Sequence, residues 1–102
     1  MARTNDNKTK HDNKHARFPL GGTYATPGAL AALTIAEIHS ALGRHQKGDW
    51  GDVCTADRED NEVSVREGFR ILSVYRSDRG GTFWVITEAD RSSTAILLPE
   101  EY

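Results

Sequence analysis

Two runs near the C-terminal end, FRILSVYR at residues 69–76 and TFWVIT at residues 82–87, restrict the fold most. Both are rich in β-branched and aromatic side chains, which fit a pleated, half-buried surface better than a helix. SDRGG lies between them, a loop length that suits a hairpin. ADRSS at residues 89–93 is the next turn, TAILL at 94–98 the next strand, and Pro99 ends it. These runs predict a three-stranded antiparallel meander. Phe69 and Ile71 fall on one face of their strand and Leu72 and Val74 on the other, while Phe83 and Val85 oppose Trp84 and Ile86. A sheet wetted on one side alternates cleanly between apolar and polar residues, so this one needs both faces covered. Either the protein's own helices cover both, or one face is an oligomer or partner surface.

The residues ahead of the sheet read as short helices. Thr26 suits an N-cap and Pro27 the first helical position. Thr34 and Glu37 have capping-box spacing and start a second helix. In it Ile35, Ile38, Leu42 and His45 recur on one face, and Gly48 is the stop. A third helix runs from about Thr55 to Gly68 and is polar nearly all round, with Glu62 and Arg66 paired one turn apart. Helices followed by a meander make an α+β fold, expected as one compact domain over residues 21–102.

With 102 residues there is room for one modest core. Residues 1–20 look like a flexible basic arm: MARTNDNKTKHDNKHAR has no large apolar side chain after Met1 with which to offset the entropy of ordering. Phe18 to Gly22 reads as a hinge or docking segment leading into the fold. The formal net charge of −2 divides unequally, because residues 1–17 carry five basic side chains against two acids. A mildly basic arm is thus joined to an acidic body. A single cysteine excludes an internal disulfide. With no apolar leader and no run of membrane-spanning length, the expected compartment is the cytoplasm, with no membrane contact.

GDWGDVCTADREDNE, residues 48–62, holds the residue types that most invite a functional reading. A calcium loop beginning at Asp57 would need glycine at its sixth position and glutamate at its twelfth, where this chain has Glu62 and Gly68. The metal reading fails there, and no cofactor is expected. Cys54 lacks any signature that brings a histidine beside it, so it reads as a small core residue rather than a nucleophile. His39 and His45 read as boundary residues of the second helix. His11 and His15 have the spacing of a weak metal pair within the arm, and Asp90 to Ser93 reads as a turn. No catalytic residue is assigned, and the protein is not expected to be an enzyme. Seven acids between Asp49 and Glu67 face only Arg58 and Arg66, which leaves a negative surface or an ordinary solvated helix. Trp50 is either a core residue between helices or an aromatic anchor for a partner.

TPGAL, GDWGDV, the polar helix with Asn61 ahead of EGFRILSVY, and above all WVITEADRSSTAILLPEEY resemble a family of small bacterial proteins. These are encoded on plasmids and other mobile elements, are often labelled plasmid-related, and are sometimes labelled as type I restriction subunit-like. The likeness spans about residues 23–102 and brings no catalytic or binding residue with it. A methyltransferase needs a cofactor-binding αβ domain, which this pattern does not supply. The resemblance implies a cytoplasmic mobile-element accessory protein, including inhibitors of host defence of the anti-restriction or anti-CRISPR type.

Two functional expectations follow. One is a non-enzymatic interaction module in which Asp57, Glu59, Asp60 and Glu62 meet the basic surface of a host or element-encoded protein, with Trp50 as anchor. The alternative is a plasmid maintenance or regulatory protein whose residues 1–17 make weak contact with DNA or RNA. Self-association through the second apolar sheet face is compatible with both.

Overall fold

A computed structural model describes residues 16–102; residues 1–15 of the expected arm lie outside the described residues. The fold is α+β, with β1 (Gly22–Ala25), α1 (Pro27–Ala32), α2 (Ile35–Lys47), α3 (Thr55–Glu67), β2 (Ile71–Arg76), β3 (Thr82–Thr87) and β4 (Ser93–Leu97). A 3-10 turn, Pro99–Glu101, closes the chain. No helix among the described residues is long and apolar enough to cross a membrane.

The meander forms as expected. β2 and β3 pair antiparallel with Ile71 opposite Thr87 and Tyr75 opposite Phe83, and β3 pairs with β4 through Val85 and Ile96. The sheet nevertheless has four strands in the order β1-β4-β3-β2, and β1 runs parallel to β4. The expected three-stranded antiparallel sheet is thereby corrected to a four-stranded mixed one. GTYA, of which only Gly22 fell in the expected hinge segment, becomes a strand because Gly21 lets the chain pass close against β4. Gly21 has φ +68°, and a Cβ there would collide with the carbonyl oxygens of Arg91 and Ser92.

One face of the sheet carries the core. Tyr75, Phe83, Val85 and Ile96 pack against Ala29 and Leu33 of the α1 region and Ile38 and Ala41 of α2. Full burial of side chains such as Val85 and Ile96 contributes roughly 1.5–3 kcal/mol each. The helix caps follow the sequence: Thr26 accepts from Ala29 N–H, Thr34 and Glu37 form a capping box, and Gly48 closes α2 in the left-handed region. The inward face of α2 is turned from the expected one. Ile38, Ala41 and His45 are buried, whereas Ile35 is 63% exposed at the first turn. His45 is therefore no boundary residue.

The second face carries Leu72, Val74, Trp84, Ile86, Ala95 and Leu97. α1 and α2 pack on the opposite face, and α3 packs beside β2 at the sheet edge. The C-terminal turn brings Tyr102 onto this second face, where its ring meets Trp84 edge-on at 5.6 Å and its hydroxyl accepts from Arg70 at 2.7 Å. Glu101 fixes that turn by accepting from the Thr26 hydroxyl and, at 3.0 Å, from Gly28 N–H.

A second apolar cluster joins Phe18, Trp50, Val53 and Ile71. Phe18 is 6% exposed, and Gln46 donates to its carbonyl at 2.8 Å. The boundary expected at residue 20 therefore falls too late: the segment from Arg17 onward docks on the body, as the apolar Phe18 and Leu20 require.

Candidate functional site

The acidic helix α3 is held to the body by one face and open on the other. Asn61, 4% exposed, reaches the backbone of β2: its side-chain amide donates to the Leu72 carbonyl at 2.7 Å, and its oxygen accepts from Leu72 N–H at 3.1 Å. An amide side chain there imitates a neighbouring strand and satisfies both groups of an edge residue. Two residues on, Val74 N–H donates to the Trp50 carbonyl at 3.0 Å, and Asp52 N–H donates to the Val74 carbonyl at 2.7 Å. Gly51 makes this approach feasible; its φ is +74°, and a Cβ would overlap the Val74 carbonyl oxygen. The C-terminal end of α3 is tied by Arg91, whose guanidinium donates to the carbonyls of Ser64 and Phe69, each at 2.7 Å.

Of the five residues expected to meet a partner, two are committed inside the fold. Trp50 is 1% exposed, packed against Phe18 and His45, and its indole N–H donates to Glu62 at 3.1 Å. The core alternative is the correct one, and Trp50 is corrected as a surface anchor. Glu62 is also removed from the open set of acids, because Arg17 grips its carboxylate with two hydrogen bonds of 2.8 and 3.0 Å. The Arg17 guanidinium, with the Trp50 N–H, holds the Glu62 carboxyl below its usual range. Asp49 is similarly lowered by Arg44, which donates at 2.7 Å. Asp57, Glu59 and Asp60 are exposed and have no hydrogen-bond or ion-pair partner among the described residues.

Cys54 is exposed rather than a core residue. It holds the N-cap position of α3, where the extended backbone turns its side chain outward and Val53 takes the apolar site. No histidine hydrogen-bonds to it among the described residues. Those residues contain no cluster of three or more His, Cys, Asp or Glu side chains able to hold a metal ion.

A feature missed from the sequence is a buried polar chain that runs across β2, β3 and β4. His45 Nδ1 lies 2.6 Å from Ser73 Oγ, and His45 Nε2 lies 2.9 Å from Thr87 Oγ1. Thr87 bonds Thr94 at 2.7 Å, and the Thr94 hydroxyl donates to the Leu20 carbonyl at 2.7 Å. A carbonyl only accepts, so the direction of every bond follows from that end. Thr94 accepts from Thr87, Thr87 accepts from His45 Nε2–H, and Nδ1 accepts from Ser73. The imidazole is neutral in this arrangement. Burial, reinforced by the Arg91 charge, pushes its pKa down to about 3. Ser73 and His45 are both 0% exposed, so this serine–histidine contact is closed to any substrate. It ties the docked N-terminal segment to α2 and the sheet.

A cleft of about 280 Å³ lies between α2 and the tip of the β2–β3 hairpin. Two of its charged side chains are already engaged: Glu37 accepts from Thr34 N–H and Asp78 N–H, and Arg44 pairs with Asp49 while lying 4.4 Å over the Tyr75 ring. No protein-family model, curated protein or solved structure matches the chain.

Proposed function

We propose that the protein is a non-enzymatic interaction module, an accessory of a mobile element, that engages a basic protein surface through the exposed acids in the N-terminal half of α3. The observation that carries this reading is the division of labour along that helix. Asn61, Glu62 and Ser64 spend their polar groups on the body. Asp57, Glu59 and Asp60 are left exposed without partners among the described residues. A helix fixed at several points along its length holds those carboxylates in place around its first two turns, Asp57 at the N-terminal end of the docked face and Glu59 nearly opposite it. A cluster of one sign gives a directional field that speeds encounter with an opposite charge and rejects like-charged surfaces. Inhibition of a host defence complex is the role we assign to such a contact, since those assemblies handle nucleic acid through basic surfaces.

The test is capture from a bacterial lysate by the immobilised chain, compared with the triple reversal D57K/E59K/D60K. All three positions are exposed, and reversing Asp57 in the first turn of α3 costs about 1 kcal/mol, so the variant is expected to fold. The proposal expects a salt-sensitive retained protein that the variant loses. An identical retained set for both chains overturns it.

A further inference from the structure

The two edges of the sheet are finished in opposite ways. At β2 the outward backbone groups of Leu72 and Val74 are satisfied by Asn61, Trp50 and Asp52. At β1 nothing comparable occurs among the described residues. Gly22 N–H and Thr26 N–H face β4, donating to the Ser92 and Ile96 carbonyls, each at 3.0 Å. Strand alternation then turns the N–H and C=O groups of Thr23 and Ala25 outward. GTYA contains no lysine, proline or bulge of the kind that blunts an open edge.

An apolar groove of about 200 Å³ accompanies this edge, lined by Ala25, Leu30, Ile35, Ile38, His39 and Leu42, with no lysine, arginine or carboxylate. Tyr24, Leu30 and Ile35 are 56%, 55% and 63% exposed. They are three of the six large apolar side chains left open among the described residues, and all three lie at this edge.

We infer that β1 is a self-pairing edge, through which two copies of the chain join by antiparallel β1–β1 pairing about a two-fold axis at Tyr24. The register follows from which groups face out. Thr23 and Ala25 are the outward residues, so Thr23 exchanges hydrogen bonds with Ala25 of the second copy, and Ala25 with Thr23 of the second copy. Tyr24 then lies opposite its own counterpart in a non-hydrogen-bonded pair, where side chains approach most closely. The two sheets become one, and both helix layers lie on the same side of it. Leu30 and Ile35 of each copy thereby face those of the other.

The chemistry of the patch selects a second copy as its occupant. A two-fold contact brings identical surfaces together, so it requires a patch that does not repel itself. This groove is apolar and carries no fixed charge, and it offers nothing to pair with a charged peptide. The open carboxylates of α3 lie beside β2, at the far edge of the sheet, and two copies joined at β1 keep them apart.

Sedimentation velocity of the full chain over a concentration series tests the proposal, together with site-directed cross-linking. Opposed residues of a non-hydrogen-bonded pair lie about 4.5 Å apart at Cα, within the range a disulfide spans. Y24C in a C54S background is expected to oxidise to a covalent dimer, and F69C in the same background, exposed on a different part of the surface, to remain monomeric. T23P removes an outward N–H without touching the β4 ladder, and I35K places a charge in the groove of both copies. Each should weaken dimerisation at least tenfold, while D57K/E59K/D60K leaves it unchanged. If T23P alone fails to fold, I35K decides. A wild-type chain that stays monomeric at 200 μM, a dimer indifferent to I35K, or equal cross-linking of Y24C and F69C overturns the inference.

Discussion

Acidification should destabilise this protein well before its carboxylates titrate, and His45 is the cause. In the native state the imidazole is fully buried and neutral, with its pKa pushed down to about 3. In the unfolded chain an ordinary histidine titrates at about 6.5. Below that value the unfolded state binds a proton that the native state refuses. Stability is therefore complete above the unfolded pKa and is lost as pH falls toward the native one. The slope approaches about 1.4 kcal/mol per pH unit, and between pH 7.5 and pH 5.0 the loss integrates to about 2 kcal/mol. For a domain of this size that corresponds to a fall in Tm of roughly 8–16 °C. The paired carboxylates Glu62, Asp49 and Glu101 are held low in the native state, so their own contribution is lost only as pH nears the unfolded carboxylate values of about 4. Urea unfolding at pH 7.5, 6.0 and 5.0 isolates the histidine. H45Q removes the titrating group: it should be less stable than the parent at pH 7.5 and nearly flat across the same interval. A parent whose unfolding free energy is constant from pH 7.5 to 5.0, or an H45Q chain with the parent's slope, refutes the neutral buried imidazole.

Other consequences are checked by the same denaturation assay. Asn61→Ala strips both partners from the Leu72 backbone and should cost about 1–3 kcal/mol, with increased aggregation as the β2 edge opens. Gly51→Ala must place a Cβ on the Val74 carbonyl oxygen at a positive φ, so it should cost more than about 3 kcal/mol, far beyond an ordinary surface substitution. Phe18→Ala should cost about 3–5 kcal/mol despite lying ahead of the first strand, because the ring is buried against Trp50 and His45. R17A, by contrast, breaks an ion pair whose side chains remain 35% and 41% exposed, and should cost under about 1 kcal/mol.

What the sequence disclosed and what it hid divide along one physical line. Local signals, set by neighbouring residues, could be read directly: the Thr26 and Thr34 caps, the Gly48 and Gly68 stops, and the hairpin between β2 and β3. The parallel strand GTYA could not, because a run of four residues, with only Thr23 and Tyr24 favouring β structure, acquires its conformation from β4, seventy positions away in the chain. A separation of 45 positions likewise hid the fate of Glu62, whose partner Arg17 sits in a stretch with the composition of a disordered arm. The polar chain had left a fainter trace. Ser73, Thr87 and Thr94 occupy inward positions of their strands, at the end of the sheet where Ile71 lies, and His45 sits two turns beyond Ile38 on the inward face of α2. Hydroxyls at adjacent inward positions of three strands cannot be left unpaired in a core, so they require a polar side chain from the covering helix. His45 is the one polar side chain on the buried face of α2 that can bond both Ser73 and Thr87, one at each ring nitrogen. That double demand fixes the helix rotation, and the rotation turns Ile35 outward beside the open edge of β1 instead of into the core.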